Sequence, residues 1–330
     1  MNNLFQQKWM TGLLFALLAV GAVAPLAVTD TRLPQWIEVV LGGLMSGVLY
    51  SLVALGLVLI FKASGVFNFA QGAMVLFAAL SLVRLMERMP FAVALAATVA
   101  IMIAVAWLIE RLVLRPLVNQ EGIVLFMATL GIAYFLDGLG QTIWGSDIYT
   151  LDVGMPKEPK ILLESVFEGG ILVGMEDVIA AVIAAVLVGL LALFFQKTPT
   201  GRALRAVADD HQAAQSIGIP LNRIWVIVWS VSGLVALVAG IIWGSKLGVQ
   251  FSLQLVALKA LPVVILGGFT SVPGAIVGGL IIGLGEKLSE VYLGPLLGGG
   301  IENWFAYVLA LVFLLFRPEG LFGEKHIDRV

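Results

Sequence analysis

The sequence predicts an all-α integral membrane protein with about eight to ten spanning helices, each of about 20 mostly apolar residues. Sixty per cent of its 330 residues are apolar and 12% are charged, whereas soluble domains are about half apolar and about a quarter charged. The mean hydropathy is +1.04, and long apolar runs recur from one end of the chain to the other. A soluble fold of this length has no interior large enough for so much apolar surface, so these runs are predicted to lie in a bilayer.

The composition argues against several classes of partner and site. The net charge of −2 argues against nucleic acid, which requires a basic face. The chain has no cysteine, and therefore no disulfide, thiol nucleophile or iron–sulfur cluster. Its two histidines, His211 and His326, are far apart in the sequence, so a histidine-rich metal site is not expected. No catalytic, cofactor-binding or metal-binding residue is predicted.

The apolar runs define ten candidate spans in one transmembrane domain, 1–330. The first seven are 9–28, 37–61, 66–86, 90–109, 123–144, 171–195 and 224–247. Breaks rich in Gly and Pro then divide an apolar region into shorter spans at 252–268, 274–293 and 301–316. The total falls to eight or nine if some pieces are re-entrant. The first run is expected to be an uncleaved span, because it is long for a signal peptide and no clear cleavage site follows.

Two loops of opposite charge predict the orientation. The loop 145–177 carries seven acidic residues and two lysines, whereas 196–223 carries four basic and two acidic residues. Lys and Arg are retained on the cytoplasmic side of a membrane. The segment 196–223 is therefore expected inside and 145–170 outside. Counting spans from either loop then places both termini inside.

The basic loop is predicted to contain a short helix over 203–217. Pro199 and Gly201 precede it, and Gly218 and Pro220 supply a stop. Alanines on such a helix permit close approach of a partner, and its arginines can bind acidic groups, so the loop is a candidate docking element. The alternative is a solvated loop with a helical turn.

Polar residues at membrane depth are costly and tend to face protein or water. Ser64, Asn68 and Gln71 are spaced by four and three residues, so on one continuous helix they share a face. They are predicted to line a solute path, with hydrogen bonding between helices as the equal alternative. Asp137 and Gln141 are four residues apart near the outer end of their span, where they face either the solute or bulk water.

The last third of the chain contains two isolated charges and a glycine series. Lys259 and Glu286 lie in consecutive apolar segments, and a structural ion pair between them is predicted; the alternative is that Lys259 extends towards water. The glycines include spacings of four, which allow close packing of helices. They are predicted to form a packing seam, not a phosphate loop, and are Gly274, Gly278, Gly279, Gly283 and Gly285.

Four stretches together resemble the branched-chain amino acid (Liv-type) permeases of ATP-binding-cassette (ABC) importers. The string TGRALRAVADDHQAAQSIGI (200–219) is similar to their cytoplasmic loop, and its QAA…G pattern to the EAA…G signature. The others are GLVLIFKASGVFNFAQGAM (56–74), LKALPVVILGGFTSVPGAIVGGLIIGLGE (258–286) and LLFRPEGLFG (314–323). They follow the family's order in both halves of the chain, which looks closer to the first permease of the usual pair.

The resemblance implies an ABC importer permease fold in a bacterial inner membrane, with 203–218 as the coupling helix seated in an ATPase. It also implies a homologous second permease, two ATPase subunits and a periplasmic binding protein. The sequence has no G-x-x-x-x-G-K-[ST] loop, so ATP and Mg would be bound by the separate ATPase, and this chain would be neither an enzyme nor a cofactor carrier. The expected coupling residues are Arg202, Arg205, Asp209, Asp210, Gln212, Ala213, Ala214 and Gly218.

One departure limits the transfer of the family's substrate. The chain has NFAQGA at 68–73 where family members often have NFAHGE, so an amide and a methyl replace two titratable groups. Branched-chain or other hydrophobic amino acids are implied, with urea, short amides and aromatic acids as alternatives. An ion-coupled secondary transporter would require buried acids, for which Asp137 and Glu286 are the candidates. A polytopic membrane enzyme would require a reactive cluster, which the sequence does not contain.

Overall fold

Helices make up most of the protein in a computed structural model that describes residues 12, 20, 23, 24, 32–117, 120–209 and 211–323. The predicted first span, 9–28, lies almost entirely outside the described residues. The α-helices are α1 (Leu33–Ser64), α2 (Gln71–Met86), α3 (Phe91–Ile109), α4 (Gly122–Trp144), α5 (Met175–Lys197), α6 (Pro199–Asp209), α7 (His211–Ser216), α8 (Leu221–Leu247), α9 (Val256–Gly267), α10 (Val272–Tyr292), α11 (Gly294–Leu297) and α12 (Phe305–Phe316).

Six of the described helices are long and apolar enough to cross a membrane: α1, α3 with its continuation to Leu117, α4, α5, α8 and α10. Three shorter apolar helices are α2, α9 with the turn that precedes it, and α12. Every predicted span from residue 37 onward coincides with one of these helices to within a few residues. The prediction of an all-α, multi-pass membrane protein is therefore confirmed.

The contacts within the chain separate it into two units. The first unit comprises Met1–Ser51, Met155–Ala185 and Pro262–Val330, and the second comprises Leu52–Gly154 and Val186–Leu261. Three of the four boundaries between them fall inside α1, α5 and α9, and the fourth lies between Gly154 and Met155, after α4. The division of the chain into one domain, 1–330, stays a prediction.

In the second unit, α2 is the central helix. Its first thirteen residues, 71–83, are all buried, and it packs against α3, α4 and α8. A Cβ atom on Gly240 of α8 would lie 2.8 Å from the carbonyl oxygen of Val75, so glycine there allows the two backbones to approach closely. A helix covered on all sides by protein does not have to span the bilayer by itself, which fits the short length of α2.

In the first unit, the predicted glycine seam of α10 is confirmed. A Cβ on Gly47 of α1 would lie 2.7 Å from the carbonyl oxygen of Gly279, and one on Gly278 would lie 2.8 Å from that of Val263. Ser51 adds a hydrogen bond, since its hydroxyl donates to the Ile276 carbonyl at 3.1 Å. Glycine on both sides of the seam is therefore a packing requirement, because any side chain would displace the facing backbone.

The first unit also contains a two-stranded antiparallel sheet, which comes after α4 in the chain. Strand β1 (Pro159–Leu162) pairs with β2 (Ile171–Gly174). The carboxylate of Glu38 on α1 accepts a hydrogen bond from the Leu172 amide at 2.5 Å. The predicted span 171–195 is wrong in its first four residues, because they pair with β1 and the helix begins only at Met175.

Candidate functional site

The loop that the sequence analysis identified for docking begins with a helix cap. The Thr198 hydroxyl accepts a hydrogen bond from the Gly201 amide at 3.0 Å and donates to the Phe194 carbonyl at 2.6 Å. Pro199 is the first residue of α6, a position where its missing N–H and fixed φ are favourable. A Cβ on Gly201 would clash with the carbonyl groups of Phe194 and Phe195. These contacts fix the direction in which α6 leaves α5.

The helix α6 has one face buried in the protein and one exposed. Leu204 and Val207 are fully buried, while Arg202 is exposed. The Arg205 guanidinium donates to the Phe195 carbonyl, so this side chain orients the helix against the end of α5. Of the two predicted docking arginines, Arg202 therefore remains available to a partner, and Arg205 has a structural contact.

The loop ends in α7 and a glycine turn. The amides of Gly218 and Ile219 donate to the carbonyls of Gln215 and Ala214, both at 3.0 Å, and Gly218 has φ +87°. This is the Schellman arrangement that closes a helix. Ala214 is buried, whereas Ala213 is exposed and Ile217 is 74% exposed. An exposed β-branched residue at this point offers an apolar contact to another protein.

The predicted helix 203–217 differs from the observed loop in two ways. It begins earlier, at Pro199, because the Thr198 cap satisfies the first turn, and two helices occupy the segment where one was expected. Three of the expected coupling positions cannot be placed fully: Asp210 lies outside the described residues, and the side chains of Asp209 and Gln212 are likewise outside the description.

A second candidate region is the break between α1 and α2. The prediction that Ser64, Asn68 and Gln71 share one helix face is wrong, because residues 65–70 are not helical. Gly65 ends α1 with φ +69°, a conformation that glycine adopts without strain. Ser64 is the last residue of α1, and its hydroxyl donates to the Ile60 carbonyl at 2.7 Å. Gln71 is the first residue of α2.

The two amide side chains in this region are buried and hydrogen-bonded. The Gln71 Oε1 atom accepts hydrogen bonds from the side-chain Nδ2 of Asn68 at 3.1 Å and from the Ser232 hydroxyl of α8 at 2.6 Å. Asn68 Oδ1 accepts from the Ala70 amide at 3.0 Å, which stabilises the non-helical segment. These contacts favour the interpretation of Asn68 and Gln71 as links between helices, and their lining of a solute path stays a prediction.

Three phenylalanines flank the same break. The ring of Phe69 lies 4.7 Å from that of Phe67 and 4.8 Å from that of Phe126 on α4, both edge to face. The Thr129 hydroxyl donates to the Phe67 carbonyl at 3.2 Å. Phe69 is 37% exposed although its neighbours on either side are buried. This cluster could not be predicted from the sequence, because phenylalanine in an apolar run carries no distinguishing pattern.

Asp137 and Gln141 lie one turn apart on α4. The Gln141 amide donates to Asp137 Oδ2 at 3.4 Å. The other carboxylate oxygen, Oδ1, is buried and has no hydrogen-bond partner among the described residues. Gln141 is exposed, so the pair lies at the protein surface with one polar atom directed inward.

The predicted Lys259–Glu286 ion pair stays a prediction, since Lys259 belongs to the second unit and Glu286 to the first. Glu286 is buried, with 3% of its surface exposed, and is hydrogen-bonded to the Tyr50 side chain of α1. A second buried acid, Glu110, was not singled out from the sequence. It lies in a π turn (Glu110–Leu114) that continues α3, and its carboxylate accepts from Arg115 at 3.1 and 2.9 Å.

Among the described residues, no group of three or more metal-ligating side chains could hold a metal ion. The contact of the loop at 199–218 with a partner, and of the segment at 65–70 with a solute, stay predictions.

Comparisons with known proteins point in one direction. A family model described as "Branched-chain amino acid transport system / permease component" matches residues 39–317. The chain is 29% identical over 318 residues to the high-affinity branched-chain amino acid transport system permease protein LivH of Salmonella typhimurium, covering 89% of this chain and 98% of that protein.

Two further relatives come from distant organisms. The high-affinity branched-chain amino acid transport system permease protein BraD of Pseudomonas aeruginosa is 28% identical over 311 residues, covering 90% of this chain and 98% of that protein. The probable branched-chain amino acid transport permease protein LivH of Methanocaldococcus jannaschii is 31% identical over 292 residues, covering 86% and 91%. The similarity therefore extends over nearly the whole of each protein.

Proposed function

Because the chain belongs to the family of branched-chain amino acid transport system permease components, we propose that it is one of two transmembrane subunits of an ABC importer. The solute that it moves is a branched-chain or other hydrophobic amino acid. Transport proceeds by alternating access: the subunit exchanges between two packings of similar energy, and its partners bias that exchange. The observation that carries the proposal is the capped, half-buried helical loop at 199–218.

The loop is suited to transmit force from a soluble partner. Its buried face, with Leu204 and Val207, and the Arg205 contact to α5 make α6 a firm extension of a spanning helix. Its exposed residues, including Arg202 and Ile217, provide one charge and one apolar group for recognition. A partner that moves the loop therefore moves α5 as well. The ATPase subunit is assigned to this surface. ATP and Mg are bound by that subunit and not by this chain.

The solute path is assigned to the neighbourhood of the break at 65–70. Broken helices in transporters commonly mark the solute site, because non-helical backbone groups can face the solute. Phe69 offers an aromatic ring edge that suits an aliphatic side chain. The neutral pair Asn68 and Gln71 keeps the segment folded without introducing a titratable group.

The remaining partners follow from the same proposal. A homologous second permease completes the path, two ATPase subunits drive it, and a periplasmic binding protein delivers the solute. The charge asymmetry of the loops supports an orientation in a bacterial inner membrane with 196–223 and both termini in the cytoplasm, and with 145–170 in the periplasm.

Reversal of one exposed charge tests the docking assignment. Arg202→Glu is expected to reduce the amount of ATPase that purifies with the permease pair, because it places a carboxylate where acidic partner groups are proposed. The matched control is Arg223→Glu, an exposed arginine in the first turn of α8, which should leave the ATPase bound. Equal retention of ATPase by both variants contradicts the docking assignment.

The transport assignment has a separate measurement. The assembled complex is reconstituted in proteoliposomes with the ATPase facing the lumen. ATP is enclosed in the lumen, and the binding protein is added outside. These vesicles should take up radiolabelled leucine, isoleucine or valine. Uptake should require both ATP and the binding protein. An intact, ATP-hydrolysing complex that takes up none of the three contradicts a branched-chain amino acid as the solute, and one that also fails with methionine and phenylalanine contradicts the whole proposed solute class; neither result affects the docking assignment.

A further inference from the structure

An open apolar groove lies in the second unit between the end of α3, with its π turn, and the middle of α4. Its volume is about 450 Å³, within the range of cavities that hold small organic ligands. Every residue that lines it is apolar. The residues used below are Leu108, Leu112, Ala128, Gly131 and Phe135.

The groove exists because small residues on α4 face large ones on the continuation of α3. A Cβ atom added to Gly131 would meet no atom within 4 Å, so the space beside it is empty in the fold of this chain. Leu112 and Phe135 border the groove and are 66% and 64% exposed. Their side chains are therefore not covered by the described parts of the chain.

An arginine lies next to the lining residues of the groove in the chain. Arg111 lies in the π turn, between the lining residues Ile109 and Leu112, and its guanidinium lies 5.2 Å from the centroid of the Trp107 ring. It is exposed, and it forms no ion pair with a carboxylate in the described part of the chain. Its neighbour Arg115 differs, because its guanidinium is held by the buried Glu110.

The chemistry of the groove restricts its occupant. The transported amino acid carries an ammonium and a carboxylate, and burying either without a polar partner is costly. No side chain that lines the groove could accept a hydrogen bond from the ammonium, so the groove is unsuited to the solute. An alkyl chain needs only apolar walls, and an arginine over a tryptophan near an apolar surface is typical of the membrane interface.

We propose that this groove binds one acyl chain of an anionic glycerophospholipid, with the lipid phosphate at Arg111. The site is separate from the solute path and from the docking loop. The proposed orientation places Arg111 at the cytoplasmic leaflet, where anionic lipids attract basic residues. The lipid would fill a gap that the side chains leave between α3 and α4, and so support their packing.

Native mass spectrometry of the permease-containing complex tests the proposal. The complex is exchanged into nanodiscs of equal parts phosphatidylglycerol and phosphatidylcholine with identical acyl chains, and the lipids retained after release are counted. The wild-type complex is expected to retain phosphatidylglycerol in about fivefold preference, which corresponds to about 1 kcal/mol for one basic residue near an anionic lipid.

Four variants separate the headgroup contact from the chain contact. Arg111→Gln should abolish the preference, and Arg111→Lys should keep most of it. Gly131→Phe should lower retention of both lipids, because the ring fills the groove. The matched control is Gly138→Phe, since Gly138 is on the same helix, has no atom within 4 Å of an added Cβ and does not line the groove.

Three results would overturn the proposal. One is equal retention of the two lipids by the wild-type complex. The second is unchanged retention in Gly131→Phe relative to Gly138→Phe. The third is loss of the second permease from Gly131→Phe with lipid retention unchanged, which would assign the groove to a subunit interface instead.

Discussion

At the scale of single residues, the polar side chains inside the membrane region are ordered by hydrogen bonds to one another. Gln71 has no exposed surface, yet its side-chain oxygen accepts from both Asn68 and Ser232. A buried amide with its bonds made contributes little net cost, whereas an unsatisfied one costs about 1–3 kcal/mol. The sequence singled out Asn68 and Gln71 as polar residues in an apolar region, but only the fold shows that Ser232, far along the chain, is the third member.

The first residue-scale prediction concerns this hydroxyl. Ser232→Ala should destabilise the protein by about 1–2 kcal/mol, because it removes the 2.6 Å bond to Gln71 and leaves that oxygen with one donor. The control is Ser230→Ala, a half-buried serine on the same helix whose side chain makes no hydrogen bond within the described residues. The apparent midpoint of thermal unfolding in detergent measures both, and equal midpoints would contradict the prediction.

The second residue-scale prediction concerns the buried carboxylate of the π turn. Arg115→Gln should reduce the yield of folded protein, because it leaves the Glu110 charge buried without its partner, a change that costs about 3–5 kcal/mol in fully buried pairs. The free-energy cost should lie near the lower end of this range, since the Arg115 side chain is 41% exposed.

A double variant provides the control for this pair. Glu110→Gln combined with Arg115→Gln removes both charges and should recover part of the yield in size-exclusion chromatography. A double variant that folds no better than Arg115→Gln alone would show that the pair is not the reason for the loss.

At the scale of elements, much of the architecture could be predicted because the bilayer requires long apolar helices. The spans from residue 37 onward were located by length and hydropathy, and the seam on α10 by the spacing of Gly279 and Gly283. The strand pair could not be predicted, since Ile171 to Gly174 are as apolar as the helix that follows. A break between α1 and α2 was expected at 62–65, between the predicted spans 37–61 and 66–86, but its extension to residue 70 was not, because its hydrogen bonds involve residues distant in sequence.

The element-scale prediction uses two glycines on α1. Gly47→Ala should lower the apparent unfolding midpoint, because its Cβ would lie 2.7 Å from the Gly279 carbonyl oxygen and force α1 and α10 apart. Gly42→Ala is the matched control, since no atom lies within 4 Å of its added Cβ and alanine favours a helix by about 1 kcal/mol. If the two substitutions had the same effect, close packing at the seam would not matter for stability.

At the scale of the whole molecule, function requires that part of the chain change its exposure during the transport cycle. The chain contains no cysteine, so a single introduced cysteine can be labelled without background. Phe69, which is 37% exposed beside the break, is a suitable position for following such a change.

The whole-molecule prediction follows from this property. In the assembled complex in nanodiscs, Phe69→Cys should react with a maleimide at different rates with and without a non-hydrolysable ATP analogue, because the proposed path near the break would open to one side of the membrane at a time. The control is Phe91→Cys, which replaces a side chain that is 41% exposed at the start of α3 and should react at the same rate in both states. For each position, the labelling rate with the analogue is divided by the rate without it. The same ratio at both positions would contradict a gating role for the break.

The strand pair also has a practical consequence for protein engineering. Its connecting turn contains Gly169, which has φ +87° and open space around an added Cβ, while the Glu38 bond to Leu172 fixes the strands from behind. A short epitope inserted at this turn should be tolerated without disturbing the spanning helices. Antibody binding to intact spheroplasts would then report which face of the membrane displays the turn, and the same epitope would serve as a handle for single-particle imaging of the assembled transporter.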